Sequence, residues 1–449
     1  MENTDRTSAL LERFVPQMTR STRLEKILVI VCGLLFIWGL YAFVLQVAKG
    51  HSITGMRDNV VWGIYIVNFI FFIGISYAGA LISGILYLLK VEWRKPIIRI
   101  AEIITVISTI LGPIYILLCM GRLDRLDHLL IYGRIQSPIT WDVIAITTYL
   151  IGSMIFLFLA TVPDFAILRD SNNPMLGKWR KRFYRFFAIG YDNSEKQRRL
   201  LKQGTTIVSI VIIPLAVLVH SVLSWIFGMT LRPGWHSTIF APYFVVAAVY
   251  SGTGVLIIAM WAFRKFYHLE DYLKEIHFKY LGIILLVLGA LYGYFTFSEY
   301  LTGWYGSEKW ELHLIYKLFD RNEFGPMFVY AAFIGVLVPI LIIAIPKTRT
   351  INGITIASAV VVTAMWVKRY IIIIPTLQTP LLPMQDSRAD YVHYSITWVE
   401  WALTFSGIAV FFLFFYFSSK FVPIIPISEH VESDDPEPGS SLNKNLNNQ

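Results

Sequence analysis

Apolar stretches of 20 or more residues recur between polar intervals from Lys26 to Phe421. Each is long enough to cross the ~30 Å hydrocarbon core of a bilayer as a helix. Ten spans are predicted, near residues 26–48, 59–90, 96–120, 141–167, 204–229, 238–266, 278–304, 325–347, 352–374 and 397–421. The second, about 32 residues long, exceeds what a bilayer needs, so it is expected to tilt or project outward. No alternating ten-residue pattern appears, which argues against an outer-membrane barrel. The predicted fold is therefore an all-α polytopic membrane protein with about ten transmembrane helices. A polar segment, 1–25, precedes the 26–421 membrane domain. Residues 422–449, ending in ESDDPEPGSSLNKNLNNQ, read as a disordered tail.

Composition agrees with that pattern. Of 449 residues, 56% are hydrophobic and only 15% charged, far less charge than a soluble domain of this length carries. The first apolar block is too long for the core of a cleaved signal peptide, so none is expected. The formal charge of +9 is concentrated in connections. Residues 168–203 contain KWRKRFYRF and EKQRRLLK, and 90–99 and 264–279 are also rich in Lys and Arg. With ten spans, all three lie on the side of the N-terminus. The positive-inside rule then predicts both termini in the cytoplasm, and the basic balance is a topology signal that does not point to nucleic acid. Trp and Tyr gather at span ends, as in GWHSTIFAPYF and LTGWYGSEKW, where most serve as interfacial belt residues.

The two cysteines, Cys32 and Cys119, cannot supply the four ligands of an iron–sulfur cluster. Of nine histidines only His220 sits deep within a span, so facing haem ligands are not expected. Any redox cofactor is predicted to belong to a partner.

Ionisable groups at membrane depth are costly unless paired or hydrated, and each is a functional candidate. In WDVIAITTYLIGSMIFLFLATVPDFAILRD, Asp142 and Asp164 are 22 residues apart, roughly 33 Å at helical rise. Counted at about 100° per residue from Asp142, Tyr149 lies about 20° to one side, Ser153 about 20° to the other and Asp164 about 40° away. Acid, phenol, hydroxyl and acid form one polar stripe, a candidate proton path with a carboxylate at each mouth. The plainer reading makes Asp142 a helix cap and leaves Asp164 in interfacial water.

On this topology Asn68, Arg122, Asp124, Asp142, His220, His236, Glu299, Lys368, Arg369 and Glu400 lie in the outer half or the loops above it. Asp164 and Glu102 form the cytoplasmic pole. Acids, a histidine and arginines beside Trp and Tyr suit a quinone head group, whose carbonyls need hydrogen-bond donors and whose redox chemistry needs a proton exchanger. Against this, Arg122 and Arg369 could simply snorkel to the interface, and His220 could be a satisfied packing residue.

Several stretches carry a family resemblance. VVWGIYIVNFIFFIGISYAGALISGILYLL, ILLCMGRLDRLDHLL, SPITWDVIAITTYLIGSMIFLFLATVPDFAILRD and PLAVLVHSVLSWIFGMTLRPGWHSTIFAPYFV resemble the NrfD-like, or polysulfide reductase membrane-subunit, family. YFTFSEYLTGWYG, MWVKRYIIIIPTL and SITWVEWALTFSGIAVFFLFF look most like the ten-helix quinol-oxidising membrane subunits of alternative complex III. The resemblance covers roughly residues 58–427. It implies two four-helix bundles with flanking helices and no cofactor bound by the subunit itself. It also implies an iron–sulfur partner, often with a multihaem cytochrome or molybdopterin-type subunit. Electrons would pass between that partner and a quinone, menaquinone being the expected one, at a periplasmic-side pocket in a bacterial inner membrane. Proton half-channels have been proposed in such subunits.

The sequence departs from the quinol-oxidising pattern at three places. GISYAG replaces GIGHAG, putting Tyr77 where a pocket histidine would be. SWIF replaces SWDF, so Ile226 takes the place of an acid, and GRLD replaces GRPW, with Asp124 nearby. A tyrosine of ordinary pKa near 10 donates a hydrogen bond but is a poor base at neutral pH.

The leading expectation is a subunit exchanging electrons between a quinone pool and a partner iron–sulfur or cytochrome subunit, with proton translocation as an added possibility. In it Asp142 and His220 exchange protons with the quinone, and Asn68, Tyr77, Arg122 and Asp124 bind or orient it. The proton path comprises Asp142, Tyr149, Ser153 and Asp164 with Glu102 and Glu299. The alternative is an anchoring or proton-conducting sister subunit without a working quinone site. A stand-alone transporter is disfavoured, since paired short, Gly/Pro-broken spans are missing from the pattern.

Overall fold

The computed structural model describes residues 2–230, 232–379 and 393–432. Its helices are α1 (Glu2–Thr19), α2 (Arg23–Lys49), α3 (Gly63–Leu88), α4 (Lys95–Cys119), α5 (His128–Ile131), α6 (Pro138–Asp170), α7 (Lys178–Phe187) and α8 (Glu195–Gly228). They continue as α9 (Phe240–Phe266), α10 (Glu275–Gly306), α11 (Lys309–Phe319), α12 (Gly325–Phe328), α13 (Gly335–Ala344), α14 (Ile351–Leu377), α15 (Trp398–Phe421) and α16 (Ile427–Glu432). Ten of the resulting rods are long and apolar enough to cross a membrane, one of them made of α12, a π turn over Val329–Ile334, and α13. They match the ten spans read from the sequence. The chief boundary difference is α8, which begins at Glu195, because the basic run EKQRRLLK continues the helix past the apolar block.

Helices α3, α4, α6 and α8 pack as one bundle, and α9, α10, α13 and α14 as another, joined where α3 meets α9 and α14. Helices α2 and α15 pack on each other at the flank. Helices α3 and α4 approach closely, and a Cβ on Gly79 would stand 2.1 Å from Thr105 Oγ1 and 2.2 Å from the Ala101 carbonyl. Small residues at such crossings let two backbones touch, the usual source of helix association where lipid removes the hydrophobic drive. Backbone groups freed within the membrane are satisfied locally. Pro339 has no N–H to offer the Gly335 carbonyl four residues earlier, and Tyr250 of α9 donates its hydroxyl to that oxygen at 3.0 Å.

Contacts among loops define two faces. On the terminal face, Arg13 pairs with Asp271, Arg180 donates to the Lys420 carbonyl, and Lys420 Nζ donates to the Gln17 and Arg20 carbonyls and pairs with Glu25. Residues 422–432, inside the segment read as a tail, pack here with Ile424, Ile425 and Ile427 buried. The rest of that segment, 433–449, lies outside the described residues.

On the distal face, Glu400 of α15 accepts from Gly55 N, Thr397 N, Thr397 Oγ1 and Tyr394 Oη at 2.6–2.9 Å. Tyr394 Oη also accepts from Ile64 N. This carboxylate therefore pins loop 50–63 to the entry of α15, and burial together with the Glu400 charge raises the Tyr394 phenol above its ordinary value.

Candidate functional site

The middle of α3 gathers three neighbours. The Ser76 carbonyl accepts from Thr105 Oγ1 of α4 at 2.9 Å and from the Tyr149 hydroxyl of α6 at 3.0 Å. The next residue, Tyr77, meets His220 of α8 edge to face, with ring centroids 4.5 Å apart. Both residues are fully buried. Among the described residues neither His220 nitrogen nor the Tyr77 hydroxyl makes a hydrogen bond of normal geometry. Unmatched polar groups inside a packed bundle cost roughly 1–3 kcal/mol each.

His220 opens onto a small cavity lined also by Ile70, Tyr243, Tyr292, Lys368 and Arg369. Its volume, about 20 Å³, holds about one water molecule. Lys368 and Arg369 enter it from α14, and Arg369 lies eight residues from the distal end of that helix, about 12 Å deep. Lys368 Nζ donates to Tyr300 Oη at 3.0 Å and stands over the rings of Tyr243 and Tyr300. Glu299 of α10 is the carboxylate that interacts with it electrostatically, and one Glu299 oxygen has no hydrogen-bond partner among the described residues.

Arg369 donates to the Met365 carbonyl at 2.8 Å and to Ser251 Oγ at 3.1 Å, and its guanidinium lies 5.5 Å above the Phe71 ring. The guanidinium fits because α3 carries glycine there. A Cβ on Gly74 would stand 2.4 Å from Arg369 Nη2. Among the described residues, no carboxylate forms an ion pair with Lys368 or Arg369. Two cations, one of them interacting with Glu299, and a buried imidazole beside tyrosine hydroxyls form a hydrogen-bond-donating pocket, the complement of an oxygen that gains negative charge.

The sequence-selected residues fall into separate groups. Tyr77 and His220 are together. Asn68 is taken up by structure: its amide nitrogen donates to Thr404 Oγ1 at 2.8 Å and its oxygen accepts from Trp366 Nε1 at 2.9 Å, tying α3 to α15 and α14. Arg122 and Asp124 pair with each other at 2.8–3.0 Å on the exposed distal surface. The hydrogen bond from Arg122, helped by its charge, holds the Asp124 carboxyl down to about 2, and the Arg122 guanidinium is raised in return. His236 is exposed on the same face.

On α6, Asp142, Tyr149, Ser153 and Asp164 are all buried, as one stripe requires. Their partners differ from those of an open path. One Asp142 oxygen and Ser153 Oγ are unbonded among the described residues, Tyr149 donates to Ser76, and Asp164 is held by Arg99 Nη2 at 3.0 Å and Ser428 N at 2.9 Å. Glu102 accepts from Ser83 at 3.3 Å through one oxygen, while its other is unbonded among the described residues.

Sequence reasoning placed Lys368 and Arg369 in the outer half without assigning them to the site, and it missed Gly74, Tyr243, Ser251 and Tyr292. The adjacent Lys-Arg pair inside an apolar span was the available signal. The others are ordinary residues for a membrane helix and gain meaning only from what they face.

Taken together, these features define a polytopic helical membrane subunit with a buried polar pocket and, among the described residues, no cluster of side chains that could hold a metal ion. Residues 52–381 match the family described as polysulphide reductase, NrfD, and the chain belongs to that family. It is similar to a selenate reductase subunit of Mesobacillus selenatarsenatis, at 24% identity over 92% of this chain and 98% of the relative. It is also similar to the Hdr-like menaquinol oxidoreductase integral membrane subunit of Archaeoglobus fulgidus, at 24% identity over 89% and 93% of the two chains. A putative dimethyl sulfoxide reductase membrane subunit of Halobacterium salinarum shares 30% identity over 51% of this chain and 49% of its own.

Proposed function

We propose that this chain is the membrane subunit through which a respiratory oxidoreductase complex exchanges electrons with a quinone pool, and that the quinone head group binds where His220, Lys368 and Arg369 converge. The observation that carries the reading is the pair of buried cations, with no carboxylate ion pair among the described residues, beside a buried imidazole that makes no hydrogen bond of normal geometry among them. As a quinone is reduced its oxygens gain negative charge, and fixed cations in a water-poor site stabilise that charge. Quinol oxidation runs through the same states in reverse. His220 lines the cavity and is the proton exchanger there, with Tyr77 as its neighbour, and Asp142 of α6 is the acid that passes protons on.

Several finer features belong to the same proposal. The quinone is menaquinone, as the name of the Archaeoglobus relative suggests. Iron–sulfur clusters or haem in partner subunits, or a molybdopterin-type subunit beyond them, supply or accept the electrons. The basic terminal face is cytoplasmic, in a bacterial inner membrane. The α6 stripe, with Glu102 and Glu299, carries protons toward or from the head group.

An anchoring sister subunit is the second reading, favoured by one observation: the cavity holds about one water, so a ring enters only if its walls move. Turnover of quinol by the intact purified complex separates the two. His220→Gln should lower kcat by about 10²-fold or more, the usual effect of losing a positioned proton exchanger. Unchanged turnover would assign the quinone chemistry to another chain.

A further inference from the structure

A second concavity, about 560 Å³, opens toward the lipid between α3, α9, α14 and α15. Its α15 wall runs from Trp401 through Ile408 and Phe415 to Ser419. Those 19 residues span about 27 Å, close to the whole hydrocarbon thickness. The walls are mainly apolar, with the hydroxyl residues Thr363 and Thr404 among them, and Glu25, Tyr267 and Ser419 close the terminal end. Its size lies in the range of ligand sites, about 300–1,000 Å³.

The groove and the cation-lined cavity share a wall one side chain thick. On α3, Ile70 lines the cavity and Phe71 lines the groove. On α14, Trp366 and Val367 line the groove while Lys368 and Arg369 line the cavity. At the junction the Arg369 guanidinium lies over the Phe71 ring, and Trp366 is anchored by its bond to Asn68.

We propose that this groove seats the polyprenyl tail of the quinone, and that the head group reaches the cavity laterally, between α3 and α14, past Phe71. The inference rests on the quinone reading above. Adjacency to the cavity, across the single layer of Phe71 and Arg369, selects this occupant over a bulk phospholipid chain or a partner's transmembrane helix. A tail bound at full membrane length restrains the head group beside the wall formed by Phe71 and Arg369. Asn68 then acts as a positioning residue, holding Trp366 at the edge of that entrance.

The test is kcat/KM of the intact complex in nanodiscs toward a long-tail menaquinol and toward an analogue with a tail of one isoprene unit or less. Ala259→Trp fills the groove from α9, and Ala262→Leu is a milder change on the same wall. With both variants melting as wild type, kcat/KM for the long-tail substrate should fall at least tenfold for Ala259→Trp and several-fold for Ala262→Leu. The short-tail value should stay within twofold. Equal changes for both substrates, or none for either, would overturn the proposal and leave the groove to lipid or a partner helix. If the wild-type complex neither oxidises nor binds the short-tail analogue, the quinone reading itself fails, which is a separate outcome.

Discussion

Ser428 donates its backbone N–H to Asp164 at 2.9 Å while Arg99 holds the other carboxylate oxygen at 3.0 Å. A carboxylate that the sequence suggested as the mouth of a path also clamps α6 to α4 and to the chain that follows α15. Glu429, one residue further on, pairs with Arg94 at 3.4 Å and adds a second tether. Asp164→Asn would leave Arg99 charged and unpaired in a buried site, at a cost of about 3–5 kcal/mol. The expected result is a lower melting temperature in detergent and faster proteolysis between residues 422 and 432. Wild-type melting and protection would show that the clamp contributes little.

Gly74 and Arg369 make a sharper pair. A methyl group at position 74 would meet Arg369 Nη2 at 2.4 Å, so Gly74→Ala should push the guanidinium away from Ser251. Overpacking of this kind costs about 1–3 kcal/mol. Quinol turnover should drop at least tenfold while the complex still assembles. An assembled variant with full turnover would mean that the position of Arg369 does not matter to the reaction.

Tyr250→Phe removes the donor that satisfies the Gly335 carbonyl at the Pro339 break. Interhelical hydrogen bonds in membranes contribute about 0.6–2 kcal/mol. Melting should fall by a few degrees, with turnover close to wild type, since the bond lies outside the cavity.

The Arg122–Asp124 pair is exposed, and Asp124→Asn should leave turnover within twofold at neutral pH. Its sign with pH follows from the lowered carboxyl. Any stabilisation from the pair is complete above the ordinary value of 3.8 and is lost only as pH falls through about 2. A turnover profile measured between pH 5 and 8 should therefore carry no titration from Asp124. A step in that range that Asp124→Asn abolishes would contradict this placement.

Periodicity and length were enough to read the ten spans, because a chain in lipid must satisfy its backbone within each helix. Which residues act together was less legible. Angular counting on one helix found the Asp142–Tyr149–Ser153–Asp164 stripe, and all four are buried. It could not reveal that Arg99 from α4 and Ser428 from beyond α15 close on Asp164. Asn68 looked like a site residue because it is polar at depth, yet its amide is taken up by Thr404 and Trp366, far along the chain. The Tyr77–His220 contact and the approach of Lys368 and Arg369 depend on how α3, α8 and α14 rotate in the bundle, which helix length and composition do not determine. Gly74 shows the limit clearly, since its role lies wholly in the side chain opposite.

The most direct measurement is a fluorescence titration of the detergent-purified complex with a quinol-analogue inhibitor, repeated on Lys368→Met and His220→Gln. Saturable one-site quenching in the wild type, with affinity at least tenfold weaker in both variants, is the predicted result. Equal affinity in wild type and variants, or no binding to an intact complex, would contradict a quinone site at His220, Lys368 and Arg369.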